Sequence, residues 1–174
     1  MNDQLSDAEE LTRLTAGSAV PSQGLNKTVL FTWDDLPWVE FEESQMQLLQ
    51  VDLSQGFWVT RSKIKPNQRV ATHYHTGTVI AVTFSGSWFY EEYSDEVNRA
   101  GSYLFEPAHS RHTLVTGPEG TEVLFAITGA LINVDENNQV TGVIDGPLIL
   151  ESYRAACEAE GKSADKVLVT GSLA

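Results

Sequence analysis

Thr72-His-Tyr-His-Thr-Gly77, and a little further on Gly101-Ser-Tyr-Leu-Phe-Glu-Pro107-Ala-His-Ser-Arg-His112, are the stretches that decide the reading of this sequence. His73 and His75 stand two apart in a run of extended character, and side chains two apart on a strand point to the same face. Two imidazoles on one side of a strand can bite a single metal ion, although such pairs also occur on plain surface strands. The second cluster strengthens the metal reading. A glycine, five residues, a proline and then a histidine five further on describe a strand, a tight turn and another strand. That arrangement can return His112 to the first pair from a neighbouring strand. Three convergent imidazoles on a rigid sheet make a coordination sphere.

On either side of these stretches, the chain from Thr28 to Val143 falls into short runs rich in Val, Ile, Phe, Tyr, Trp and Thr. The clearest are Thr28–Trp33, Met46–Asp52, Gly56–Ile64, Thr78–Phe84, Ser87–Tyr93, Tyr103–Glu106, His112–Val115 and Glu122–Thr128. Between them lie turn signals: Pro66-Asn67, Ser85-Gly86, Ser94-Asp95, Gly117-Pro118-Glu119-Gly120 and Glu136-Asn137-Asn138. Many short strands at regular spacing imply an antiparallel sandwich or barrel, hence an all-β domain. Pro147 then opens a helix running to about Glu160, with Gly161 as a left-handed cap. Leu148, Ile149, Tyr153, Ala156 and Cys157 give it one apolar face, which places it against the outside of the barrel. Ser163-Ala-Asp-Lys begins one further turn before a loose tail. Residues 1–27 are polar and read as a peripheral arm, with a capping-box pattern at Ser6-Asp-Ala-Glu9. The arm is either a mobile tail or a segment that packs on a partner subunit. The expected organisation is that arm plus one domain over 28–174.

The 174 residues suffice for a single core. With 24 acidic and 11 basic residues the formal charge is −13. So acidic a chain repels phosphate backbones and anionic lipid heads, which argues against nucleic-acid and membrane-surface roles. No stretch approaches the roughly 20 apolar residues of a membrane span, and the acidic N-terminus lacks a signal peptide's apolar run. Cys157 is the single cysteine, so no internal disulfide can form; in the helix it reads as a buried, inert thiol. The expected compartment is the cytoplasm.

These residues resemble the cupin superfamily. His73-Tyr-His75 with Gly86 looks like its first motif, and Gly101…Pro107…His112 looks like its second. Thr72–Gly77, Gly86-Ser-Trp-Phe-Tyr90, Gly101–Pro107 and His112-Thr-Leu further resemble 2,4'-dihydroxyacetophenone dioxygenases. Acetylacetone-cleaving dioxygenases and the cupin domains of some anti-sigma factors are more distantly similar. The likeness extends from about Gln50 to Lys166 and implies a jelly-roll β-barrel with a metal held by His73, His75 and His112.

Two departures from the general cupin pattern are informative. Many cupins carry a glutamate a few residues after the second histidine, where this chain has Val79 and Ile80. Three neutral imidazoles would leave the metal's charge uncompensated and favour an anionic, chelating substrate. His109 stands where the second motif usually has glycine; it could reach the metal, act as an acid or base, or face solvent. By resemblance Glu106 lies near the metal, where it could accept a substrate proton or orient a ligand; otherwise it is a solvated strand end. Glu106 and His109 are the catalytic candidates. Tyr90 and Tyr103 read as cavity lining or plain core, and Arg61 and Lys63 as an anion lure or an exposed edge.

The function this implies is a non-haem iron(II) dioxygenase that cleaves a carbon–carbon bond of a small hydroxyketone or diketone, with dioxygen as co-substrate. Zinc, manganese, nickel and copper suit the same imidazoles. The alternatives are another cupin enzyme or a non-catalytic metal or ligand sensor like the anti-sigma cupins. Those usually follow a zinc-binding segment, and residues 1–27 hold no cysteine or histidine. Apolar Trp33, Trp38 and Trp58, together with the arm, point to a homodimer or homotetramer.

Overall fold

A computed structural model describes residues 28–41 and 44–172. Contacts divide the chain into a unit ending at Leu30 and one beginning at Phe31. The arm over 1–27 and its capping box lie outside the described residues. The architecture that follows is that of the second unit.

Its elements in chain order are β1 (Val39–Phe41), β2 (Ser44–Asp52), β3 (Phe57–Ile64), β4 (His73–His75), β5 (Val79–Tyr90), β6 (Asn98–Arg99) and β7 (Tyr103–Glu106). Then come β8 (Arg111–His112), β9 (Leu114–Thr128), β10 (Leu131–Val134), β11 (Val140–Ile144), the helix α1 (Gly146–Ala159) and β12 (Leu168–Thr170). They form two sheets. The larger runs β1-β2-β3-β9-β5-β6, with β12 beside β2 and β7 beside β5; the smaller runs β11-β10-β4-β8. Among the described residues the hydrogen-bonded ladders do not close into one continuous barrel. The fold is thus all-β with one helix, as expected, in a two-sheet form.

Several elements differ from the sequence reading for identifiable reasons. The run Thr28–Trp33 is not a strand; Trp33–Asp35 is a short 3₁₀ turn, with Asp35 accepting a hydrogen bond from the Thr32 amide at 2.7 Å. Neither Ser85-Gly86 nor Gly117–Gly120 is a turn. Each sits inside a long strand, β5 or β9, and the pairing between these strands slips at Thr83/Ser85 and Gly86/Trp88. Gly86 and Gly120 both have a φ of +71°, and a Cβ on Gly86 would fall 1.9 Å from the Gly120 carbonyl oxygen. They are bulge glycines rather than hairpin glycines, and bulges bend a pair of strands without ending it. Because β5 continues past the bend, Tyr90 comes to pair with Leu114, next to His112. The tail is not loose either: β12 pairs in parallel with β2, Leu168 opposite Gln50.

Helix α1 matches its signals closely. Asp145 accepts from the Leu148 amide at 2.9 Å. At the other end Gly161 (φ +67°) sends its amide to Glu158 and Lys162 sends its amide to Cys157, a Schellman cap. Ile149, Leu150, Tyr153 and Cys157 are buried, each apolar side chain contributing about 1.5–3 kcal/mol. Leu148, expected on that face, is exposed. The helix packs on β2 and β1, and the Tyr153 hydroxyl donates to the Pro37 carbonyl at 2.6 Å. No helix among the described residues is long and apolar enough to cross a membrane.

The three tryptophans do not share one environment. Trp58 is buried in the main core and donates to the Gly129 carbonyl at 3.0 Å. Trp33 and Trp38 instead cover Arg61, whose guanidinium carbon lies 3.9 and 5.0 Å from their ring centroids. Arg61 also pairs with Glu122 and sits on β3, an interior strand of its sheet. It is neither a free anion lure nor an edge residue. A second core cluster, Ala81, Trp88, Tyr90, Leu114 and Val123, lies at the bend of β5 and β9, next to the histidines.

Candidate metal centre

Strand alternation turns His73 and His75 inward and leaves Tyr74 between them half-buried. In the small sheet His73 lies directly opposite His112 of β8, while Leu131 and Asn133 of β10 flank the pair on the other side. The turn Pro107–Ser110 that delivers β8 is tied to β4 by the His109 amide, which donates to the His75 carbonyl at 2.8 Å. The two histidine clusters of the sequence thereby become one. Donor atoms of His73, His75 and His112 all lie within 4.8 Å of one another, and all three residues are buried.

The protonation states suit ligation. Burial pushes the His75 and His112 imidazolium pKa values down to about 3, helped by the neighbouring imidazoles, and burial lowers that of His73. The rings are therefore neutral at ordinary pH, as metal ligands must be. His73 Nδ1 lies 2.7 Å from the Ala71 carbonyl, so that nitrogen carries the proton and Nε2 presents its lone pair.

Glu106, the last residue of β7, is buried against the same point. Its Oε2 lies 3.2 Å from His112 Nε2 and 3.4 Å from His75 Nε2. Its Oε1 accepts a short hydrogen bond from the Tyr90 hydroxyl, and the Tyr90 ring stacks on His112 at 3.9 Å and 14°. Burial raises the Glu106 carboxyl to about 7, the Tyr90 hydrogen bond opposing it, while burial and the carboxylate hold the Tyr90 phenol well above its usual value. Among the described residues the buried side-chain nitrogen and oxygen atoms lacking a hydrogen-bond partner are His75 Nδ1, His112 Nε2, Glu106 Oε2 and Ser110 Oγ, all at this one site. Orphaned buried polar atoms are rare, and the facing pair Glu106 Oε2 and His112 Nε2 fits a site built to hold a cation.

A cavity of about 250 Å³ reaches Glu106, His112 and Ser110 between Tyr90, Tyr93, Leu104 and Phe105. Larger hollows beside α1 and near Arg69 lack any convergent ligand set. His109 is not brought to the imidazoles. It is exposed at the turn with φ +68°, the left-handed conformation that explains why glycine is common there. Tyr103 is exposed as well, whereas Tyr90, read from sequence as lining or core, touches two site residues. Only the inward alternation of Trp88 and Tyr90 hinted at this.

Comparison with known proteins identifies the fold family. The family model described as the ChrR cupin-like domain matches residues 26–132. The chain belongs to this cupin family. Among solved structures it is similar to a cupin-like protein of unknown function from Ralstonia eutropha JMP134, at 26% identity and a TM-score of 0.76, over 86% of this chain and 94% of that one. An RmlC-like cupin protein from the same organism is 28% identical, with a TM-score of 0.76, over 81% and 94% of the two chains. An acetylacetone dioxygenase from Acinetobacter johnsonii is 19% identical, with a TM-score of 0.66 over 75% and 92%, a likeness of fold. No curated protein sequence matches the chain.

Proposed function

We propose that this cupin is a metal-dependent dioxygenase, with iron(II) as the working metal, that cleaves a carbon–carbon bond in a small α-hydroxyketone or β-diketone. The observation that carries the reading is the convergence of three buried, neutral imidazoles and one carboxylate at the end of a small, aromatic-walled cavity. His73, His75 and His112 would hold the metal, which when bound supplies Lewis acidity and access to dioxygen. The fold likeness to an acetylacetone dioxygenase is consistent with this chemistry.

The chain's own groups perform the remaining tasks. Leu104, with Tyr93 and Phe105 at the exposed rim, offers apolar and aromatic surface to the body of a substrate. Tyr90 holds Glu106 and the His112 ring in place. Glu106, within reach of the same point, accepts the proton that the substrate's hydroxyl or enol gives up as it binds as an anion. The reaction balances with one dioxygen: a hydroxyketone yields two carboxylic acids, and a β-diketone yields a carboxylic acid and an α-ketoaldehyde.

The second reading is a non-catalytic metal or ligand sensor, favoured by the description of the matching family model as the ChrR cupin-like domain. One experiment separates the two. Protein purified without air is analysed for metal, loaded with iron(II), and assayed for oxygen uptake on a panel of hydroxyketones and diketones. Stoichiometric uptake with acid products supports the dioxygenase; metal binding without uptake on any member of the panel favours the sensor.

A further inference from the structure

We propose that Glu106 is itself a ligand of the metal centre, so that the donor set is three imidazoles and one carboxylate delivered from β7. This rests on the metal-centre reading above and specifies its coordination.

Distances carry the inference first. Donors about 2.0–2.2 Å from one metal stand roughly 3.0 Å apart in octahedral and 3.4 Å apart in tetrahedral geometry. Glu106 Oε2 lies 3.2 Å from His112 Nε2 and 3.4 Å from His75 Nε2, the spacing of two ligands sharing an ion. Both Oε2 and His112 Nε2 lack any hydrogen-bond partner. A carboxylate oxygen facing two imidazole nitrogens without an aligned hydrogen bond is electrostatically costly unless a cation sits between them.

Register supplies an independent argument. Glu106 of β7 lies directly opposite Val79 of β5, and residues opposite each other in an antiparallel pair point to the same face. Val79 occupies one of the positions where a glutamate would be looked for after the second histidine. The carboxylate missing from β5 is thus restored on the same face by the adjacent strand. Tyr90 is the positioning residue: by donating to Oε1 it leaves Oε2 as the oxygen aimed at the imidazoles. With Glu106 bound, the site loses one unit of positive charge, and a substrate that gives its proton to Glu106 displaces the carboxylate as it binds as an anion.

The test uses full-length protein stripped of metal and reloaded with zinc(II) or cobalt(II). Glu106→Gln is expected to weaken zinc binding by about 10²–10³-fold in chelator competition and to change the visible spectrum of the cobalt form. Glu106→Asp keeps the charge but withdraws the oxygen by about 1.5 Å, so it should lose affinity similarly. Tyr90→Phe should cost about 10–100-fold, as loss of a ligand's support does. Wild-type affinity and an unchanged cobalt spectrum in Glu106→Gln overturn the proposal. So does full retention in Glu106→Asp alone, because charge without ligation would then explain the effect. A crystal structure of zinc-loaded wild-type protein needs no variant to fold: Oε2 within about 2.2 Å of zinc supports ligation, and beyond about 3 Å refutes it. If wild-type protein takes up neither zinc nor cobalt, the metal-centre reading falls too.

Discussion

Acidification should weaken metal binding in this protein far less than three ordinary imidazoles would require. An imidazole with a pKa of 6.5 is about 97% protonated at pH 5, so three such ligands would cost about 10⁴-fold in apparent affinity between pH 7 and pH 5. Here burial holds His75 and His112 at about 3 and lowers His73, so the proton scarcely competes for these nitrogens over that range. The buried carboxyl of Glu106, raised to about 7, runs the other way. If it must lose its proton to bind, it costs about 50-fold over the same interval, from one proton alone. The expected loss is therefore about 50-fold, with a slope approaching one proton per metal below pH 6. The assay is zinc competition against a chelator calibrated at each pH, with circular dichroism confirming that the fold persists. A loss of 10⁴-fold or more would refute the argument, because it would mean that the imidazoles are hydrated and titrate normally. The same depressed values bear on stability. The unfolded chain takes up protons near 6.5 and the folded chain only near 3, so the metal-free fold should lose stability as pH falls between these values.

Replacing His73, His75 or His112 singly by alanine should lower metal affinity by about 10²–10³-fold, one ligand's share of a four-donor site, read by metal analysis after dialysis against chelator. Full metal content in two of the three variants would show that the site is elsewhere. His109→Gly should keep the metal and raise stability by about 1 kcal/mol, or roughly 2–4 °C in Tm, by relieving a left-handed non-glycine residue; loss of metal would make His109 a ligand. Ile80, Tyr103 and Phe105 are exposed, and the β5–β7 register places Ile80 opposite Phe105. Light scattering should find at least a dimer, and Phe105→Glu should shift it toward monomer; a wild-type monomer at micromolar concentration would contradict this.

The histidine cluster was legible in the sequence because its signal is local. A period of two assigns His73 and His75 to one face, and the glycine–proline spacing turns β7 back into β8. The helix was legible for the same reason: its opening Pro147, its cap Gly161 and its buried face act within a few residues of one another. Glycine was ambiguous, since a hairpin and a bulge both ask for a positive φ. Only the contact between Gly86 and Gly120, far apart in the chain, decides that these mark bends inside two long strands. Pairing of the tail with β2, the covering of Arg61 by Trp33 and Trp38, and the burial of Trp58 likewise depend on partners distant in sequence. So does the chemistry at Glu106. The sequence brings a carboxylate to the end of a strand. The tertiary structure removes it from water, sets it opposite Val79, clamps it with Tyr90 and aims its free oxygen at two imidazoles, because charge and ligation at a buried site are set by what folding packs around it.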